Sequence, residues 1–360
     1  MAYTTIDDPS AYFQVETYTG AGANTSVTFS GNSDLKPDWL WLKNRSAGYA
    51  HAAFDSNRSL GSAVNAPFLE PNDTSAENSN QNWWNSTNNG INTDGFQFGS
   101  VSEHNLNNLG SEYVAWAWKA NGGTTASNSN GSITSTVQAN TDAGFSIVTY
   151  TGTGSAATVG HGLGVTPDMI IFKNRSGANV WATYHQSLGN NLKLELNGNG
   201  AQDADGAFMN GTLPTSSVFS VGASANTNTG SSNYVAYCFN NVQGYSKFGK
   251  YVGNGDANGP FVYTGFKPAF IMFKKSSDSG DNWMMYDNKR PGFNVTDQAL
   301  HPNSSAAEYD NANANLDILS NGFKLRSSFG WVNQNTHTYI YMAFAENSFV
   351  TSTGIPTTAR

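Results

Sequence analysis

The chain has 360 residues and a formal net charge of −8; only 12% of its residues are charged, while 13% are aromatic. That length suits two or three domains, and the scattered lysines and arginines form no basic cluster, which argues against nucleic acid as a partner. With so few charges the polar surface must come from Asn, Ser, Thr and Gly, residues that favour turns over helix interiors, so the composition points to an all-β chain.

Residues 1–12 form a short polar lead in which Asp7-Asp8-Pro9-Ser10 is a turn signal. It is expected to be an inert terminus in preference to a docking peptide. Met1 to Gly22 lacks the basic start and apolar core of a signal peptide. No apolar run approaches the length a membrane helix needs, so no membrane insertion is expected.

Residues 13–122 read as a first β-module. It opens on Phe13-Gln14-Val15-Glu16-Thr17-Tyr18-Thr19-Gly20-Ala21-Gly22. Lys36-Pro37-Asp38 then leads the run Trp39, Leu40, Trp41, Leu42, closed by Lys43-Asn44-Arg45-Ser46. Proline imposes an extended approach, and a short unbroken apolar run suits a strand buried on both faces. An Asn/Ser-rich insertion, Glu70 to Asn92, carries Trp83 and Trp84. Adjacent tryptophans in a polar loop are expected in a core or a subunit interface first, and as an exposed platform for sugars second. Asp94-Gly95-Phe96 and the aromatic strand Tyr113 to Trp118 complete the module.

Residues 123–144 carry almost no apolar content and read as a linker. The pattern then repeats. In residues 145–243, Phe145 to Gly154 is followed by Thr166-Pro167-Asp168, the run Met169, Ile170, Ile171, Phe172, and Lys173-Asn174-Arg175-Ser176. Phe219 and the strand Tyr234 to Phe239 close the second module. In residues 244–349, Ser246 to Gly255 precedes Lys267-Pro268-Ala269, the run Phe270, Ile271, Met272, Phe273, and Lys274-Lys275-Ser276-Ser277. Phe323 and Tyr339 to Phe344 close the third. The tail, 350–360, is expected to be loosely held. Pro37, Pro167 and Pro268 recur at intervals of 130 and 101 residues, the size of a small β-domain. The expected fold is therefore all-β: three tandem homologous β-sandwich modules, lectin- or jelly-roll-like.

Convergent chemistry is sparse. Six histidines (His51, His104, His161, His185, His301, His337) show no zinc spacing; His51 and His185 are read as equivalent structural positions. There is no nucleophile elbow and no phosphate loop. Asn254 to Gly259 copies half of a calcium loop but lacks its closing acid, and Asp203-Ala204-Asp205-Gly206 is similarly partial, so both read as turns. Cys238, the single cysteine, falls in an apolar strand and is expected to be buried. Trp181 and Trp283 occupy matching places after the proline-led runs, with Tyr49 assigned to that place in the first module. They join Trp83 and Trp84 as candidate interface or glycan contacts. No catalytic residue, cofactor or metal is expected.

The repeated Tyr-Thr-Gly-x-Gly and Pro-Asp-x-x-x-x-Lys-Asn-Arg-Ser motifs, with the opening Thr5 to Gln14, resemble a family of β-domains in bacteriophage virion proteins, especially of marine phages and often labelled tail-fibre or structural. The resemblance covers nearly the full chain, and the third module departs from it at Ala269 and Lys275-Ser276-Ser277. It implies a non-enzymatic virion component, made in the host cytoplasm and displayed on the particle as a tail-associated knob, fibre or adaptor, or as a capsid decoration. The implied partners are other virion proteins, further copies of the chain and host-surface glycan. Two other readings stay open: a soluble carbohydrate-binding protein, and a glycan-degrading enzyme. The enzyme would need two carboxylates close together in a cleft, and acids are few.

Overall fold

In the computed structural model, which describes residues 3–79, 81–86, 89–99, 106–291, 293–310 and 312–357, the three proline-led runs are strands. They span Trp39–Asn44, Met169–Asn174 and Phe266–Lys275. Pro268 lies inside the third, at a bulge where the register shifts, one of the few places a strand accepts proline.

Each run sits in an antiparallel sheet of the same strand order. The opening strand (Phe13–Thr19, Phe145–Thr151, Ser246–Val252) pairs with the closing strand (Glu112–Trp118, Asn233–Phe239, Thr338–Ser348). The closing strand pairs with the proline-led strand, and that with a short strand (Ala52–Asp55, Ala182–His185, Met284–Asp287). The second sheet continues on both sides, to eight strands.

Both faces of all three sheets are buried, as the unbroken apolar runs require. Trp39, Trp41, Met169, Ile171, Phe270 and Met272 point into one core shared by the three sheets. The alternate residues Leu40, Leu42, Ile170, Phe172, Ile271 and Phe273 face three separate cores, the period-2 alternation of a strand. Smaller ribbons cover these outer cores: Thr25–Val27 with Phe96–Phe98, Ala157–Gly160 with Val218–Val221, and Phe261–Tyr263 with Gly322–Leu325 and Leu316–Leu319. Each sheet thus packs as a β-sandwich on its outer side. The expected turn-then-strand signals are partners in register, Val27 with Phe96, Val159 with Phe219 and Val262 with Phe323. A fully buried aromatic side chain removes about 150–250 Å² from water, roughly 4–6 kcal/mol of transfer free energy, so the shared core is the main cohesive element.

Two stretches differ from expectation. Residues 123–144 are not loose chain: Ala126–Asn128 and Ser135–Asn140 extend the second sheet from its opening strand. Gln138 and the Asn57 amide also tie this stretch to the first sheet's 56–57 turn. Its low apolar content reflects a strand at the margin of the sheet, with much of its surface in solvent. The polar lead is likewise tied down. Ile6 enters the shared core, its carbonyl accepts from the Ser348 hydroxyl at 2.9 Å, and Asp8 caps the 3-10 turn Pro9–Ala11. Among the described residues no helix is long and apolar enough to cross a membrane.

Candidate functional site

The residues that recur in the sequence build three like units of stacked tyrosines, asparagine and glycine. Tyr18, Tyr150 and Tyr251 stack on Tyr113, Tyr234 and Tyr339 with ring centroids 4.8, 5.3 and 4.8 Å apart. Each donates its hydroxyl to a buried loop carbonyl, of Leu106, Thr227 or Val332. The facing tyrosines accept from the N–H groups of Asn108, Thr229 and Gln334. A buried asparagine completes each unit: Asn107, Asn228 and Asn333 accept from the N–H groups of Ala21, Thr153 and Asn254. The glycines are steric requirements. A Cβ on Gly20, Gly152 or Gly253 would lie 2.2 Å from a backbone carbonyl oxygen, and Gly22, Gly154 and Gly255 have positive φ. Sequence reading missed Asn107, Asn228 and Asn333, although each stands six residues before its tyrosine.

The recurrent lysines are buried and bonded to carbonyl groups. Lys43 donates to Asn44 and Ser305, Lys173 to Asn174 and Thr74, and Lys274 to Lys275. Burial pushes all three ammonium groups down to about 8. Asp38 accepts from the N–H groups of Ala120 and Gly122, and Asp168 from that of Asn241, fastening the chain as it leaves the closing strand.

Charged residues concentrate at the seams between sheets. Glu77 accepts from Arg58 and, bidentately, from Arg175; Glu308 accepts from Arg290 and Arg45. Arg58 and Arg290 are also paired with Asp55 and Asp287. Those carboxylates in turn accept from the Tyr237 hydroxyl and the Trp116 indole. At the third seam the whole set is replaced. His185 stands opposite Met169 as Asp55 does opposite Trp39, Met342 replaces the donor, and Ser276 replaces the arginine. What persists there is backbone: Gln202 N–H donates to Ser276, as Glu77 does to Arg175 and Glu308 to Arg45. The contacts run first sheet to second, second to third, third to first.

The candidate tryptophans are all buried: Trp83 5%, Trp84 3%, Trp181 0% and Trp283 1% exposed. Trp83 and Trp84 belong to the first outer core and Trp181 and Trp283 to the shared one, so none of the four presents an exposed ring face to a sugar. The Asn/Ser-rich loop folds over the outer face of the first sheet, and its polarity reports the loop's solvent side alone. Trp181 and Trp283 donate to the carbonyls of Glu70 and Glu195 across seams. Their counterpart in the first sheet is His51, not Tyr49: each immediately precedes the short strand. His51 accepts from Trp41 Nε1 and donates to the His301 carbonyl. His51 and His185 are therefore not equivalent. His104 lies outside the described residues. Burial raises the Cys238 thiol far above its ordinary range. Asn254 and Asp256 accept from Asp256 and Asn258 N–H as turn-formers, and among the described residues no cluster of metal-ligating side chains forms.

An open concavity lies where the third sheet departs from the pattern. Ala269 replaces the fastening aspartate, and the closing strand instead runs on to Ser348, pairing Lys267 with Asn347. Three adjoining hollows of about 230, 250 and 780 Å³ share Glu346 in their lining. Lys267 Nζ lies 2.8 Å from Glu346 Oε2. Asn294 is held by two hydrogen bonds to Ile318, and Lys289 reaches Ser30 in the loop that follows Thr25–Val27. Phe293 stands on the rim, 81% exposed. The buried Asn288 Oδ1 has no hydrogen-bond partner.

Fold and site together define an all-β protein of packed sandwich sheets whose recurrent residues cross-brace the sheets, with a polar groove beside the third. The chain belongs to the family described as a domain of unknown function, DUF7483, whose model matches residues 8–348. No curated protein and no solved structure matches it.

Proposed function

We propose that this chain is a non-enzymatic structural protein of a bacteriophage particle, built from three tandem homologous β-modules and exposed on the virion as a tail-associated knob, fibre or adaptor, or as a capsid decoration. In this reading it is made in the host bacterial cytoplasm, assembles with other virion proteins and with further copies of itself, and contributes to attachment at the host surface. The observation that carries it is the fate of the recurrent residues. Tyrosine, glycine, aspartate, lysine, arginine and tryptophan at repeated positions are buried in contacts that hold three sheets in cyclic order, so repetition builds a rigid body. The virion assignment itself rests on the sequence resemblance. Three like units around a shared core also suit a place on a symmetric particle.

Immunogold labelling of purified particles with antibody against the chain tests this. Gold at one vertex or along the tail is the expected result. Particles without gold, with free protein that binds glycan, would replace it by the soluble carbohydrate-binding reading.

A further inference from the structure

We infer that the groove around Glu346 is a saccharide-binding site, which would supply the contact with host-surface glycan; the inference rests on the attachment reading above. The largest hollow, about 780 Å³, falls in the range of small-ligand pockets. Its polar groups are mixed. Lys267 offers donors, Glu346 acceptors, and Asn347 both. The buried, unpartnered Asn288 Oδ1 in the adjoining hollow calls for a donor from a ligand. A hydroxyl-rich, uncharged molecule answers all four. An anion such as phosphate would meet the Glu346 carboxylate, already bound to the lysine that would otherwise receive it.

The rim supplies the apolar half of the recognition. Phe293 lines the middle hollow with its ring in solvent. Beyond Asn321, which lines the largest hollow and accepts from the N–H groups of Thr264 and Gly265, Tyr263 is 53% exposed. Aromatic faces stack on the C–H faces of pyranose rings, and a tyrosine adds a hydroxyl at the wet edge. The shared architecture does not require these aromatics. In register, the residues flanking the inward valine of this ribbon are Phe261 and Tyr263 on the third sheet, but Ser26 and Thr28 on the first, and Thr158 and Gly160 on the second. The Lys267–Glu346 pair lies on the one sheet that lost the fastening aspartate, and the aromatics lie on the ribbon and the loop beside that sheet.

Saturation-transfer NMR on the full chain, with cellobiose, lactose and N,N′-diacetylchitobiose as probes, tests the site. Transfer to at least one sugar is expected, with affinity falling at least tenfold in Phe293→Ala and in Asn347→Ala. Phe293 is so exposed that its truncation should leave the unfolding midpoint unchanged, which separates lost binding from lost fold. No transfer to any of the three sugars, or transfer unaffected by both variants, would overturn the inference. Gold-labelled particles whose protein binds none of these sugars would sink this inference alone. Sugar binding by a chain absent from particles would sink the virion reading alone.

Discussion

Glu77 and Arg175, 98 positions apart, meet through two parallel hydrogen bonds of 2.8 Å, and the same carboxylate holds Arg58 at 2.7 Å. Burial works to raise the Glu77 carboxyl, but the Arg175 and Arg58 guanidiniums overcome it and hold it below its ordinary range. One acid therefore bridges a fully buried guanidinium, whose other partner is Asp55, to a second one across the seam.

Glu77→Gln should cost about 2–4 kcal/mol, because it leaves the buried Arg58 with Asp55 alone and unlinks Arg175. Glu112→Gln, at an exposed strand end, should stay within about 0.5 kcal/mol. Urea unfolding of both variants measures the difference; equal, small effects would show that the seam is held without this carboxylate.

Much of the frame was legible in the sequence, for local reasons. The proline-led runs had to be buried strands because they are short, unbroken and apolar, and Leu40 and Trp41 do face different cores. The seam chemistry was not legible, because Glu77–Arg175 and Glu308–Arg45 join positions 98 and 263 apart, a separation no local pattern reports. Trp83 and Trp84 left a core placement and a sugar contact both open for a related reason: loop polarity describes neighbours in sequence, whereas burial is set by the sheet the loop covers. The groove had a faint signal in Ala269, read only as a weakened motif and not as the place where a strand runs on.

The glycines give a sharper test of the repeated tyrosine units. Gly152→Ala would push a methyl to 2.2 Å from the Thr229 carbonyl oxygen, and backbone cannot yield as a side chain can. A loss of about 2–4 kcal/mol is expected. Gly200→Ala, with nothing near its Cβ, should be neutral. Equal thermal midpoints for the two variants would contradict this steric account.

Cys238 should behave as packing and nothing else. Its side chain is buried, and burial keeps the thiol protonated. Ellman's reagent should modify one thiol per chain in denaturant and essentially none in the native protein, with rates about a thousandfold apart. Rapid labelling of the native chain would mean that the second outer core opens readily.

The three buried lysines predict an unusual pH profile. In the native state Lys43, Lys173 and Lys274 release their protons near 8, against 10.5 for the ordinary side chain. Between those values the unfolded chain binds more protons than the native one, so the free energy of unfolding rises with pH, by at most about 1.4 kcal/mol per pH unit for each lysine. Below about pH 8 both states are charged, and the full cost of burying the ammonium groups weighs against folding. Above about pH 10 the sign reverses: burial raises Tyr18, Tyr150 and Tyr251 well above the ordinary value, so the unfolded chain loses tyrosyl protons that the native one keeps. Stability should therefore climb from about pH 8, peak between about 9 and 10, and fall beyond. Urea midpoints across that range measure the curve, and Lys173→Met should remove about a third of the rise. A steady fall from pH 8 upward would mean that these ammonium groups are better solvated than their carbonyl cages allow.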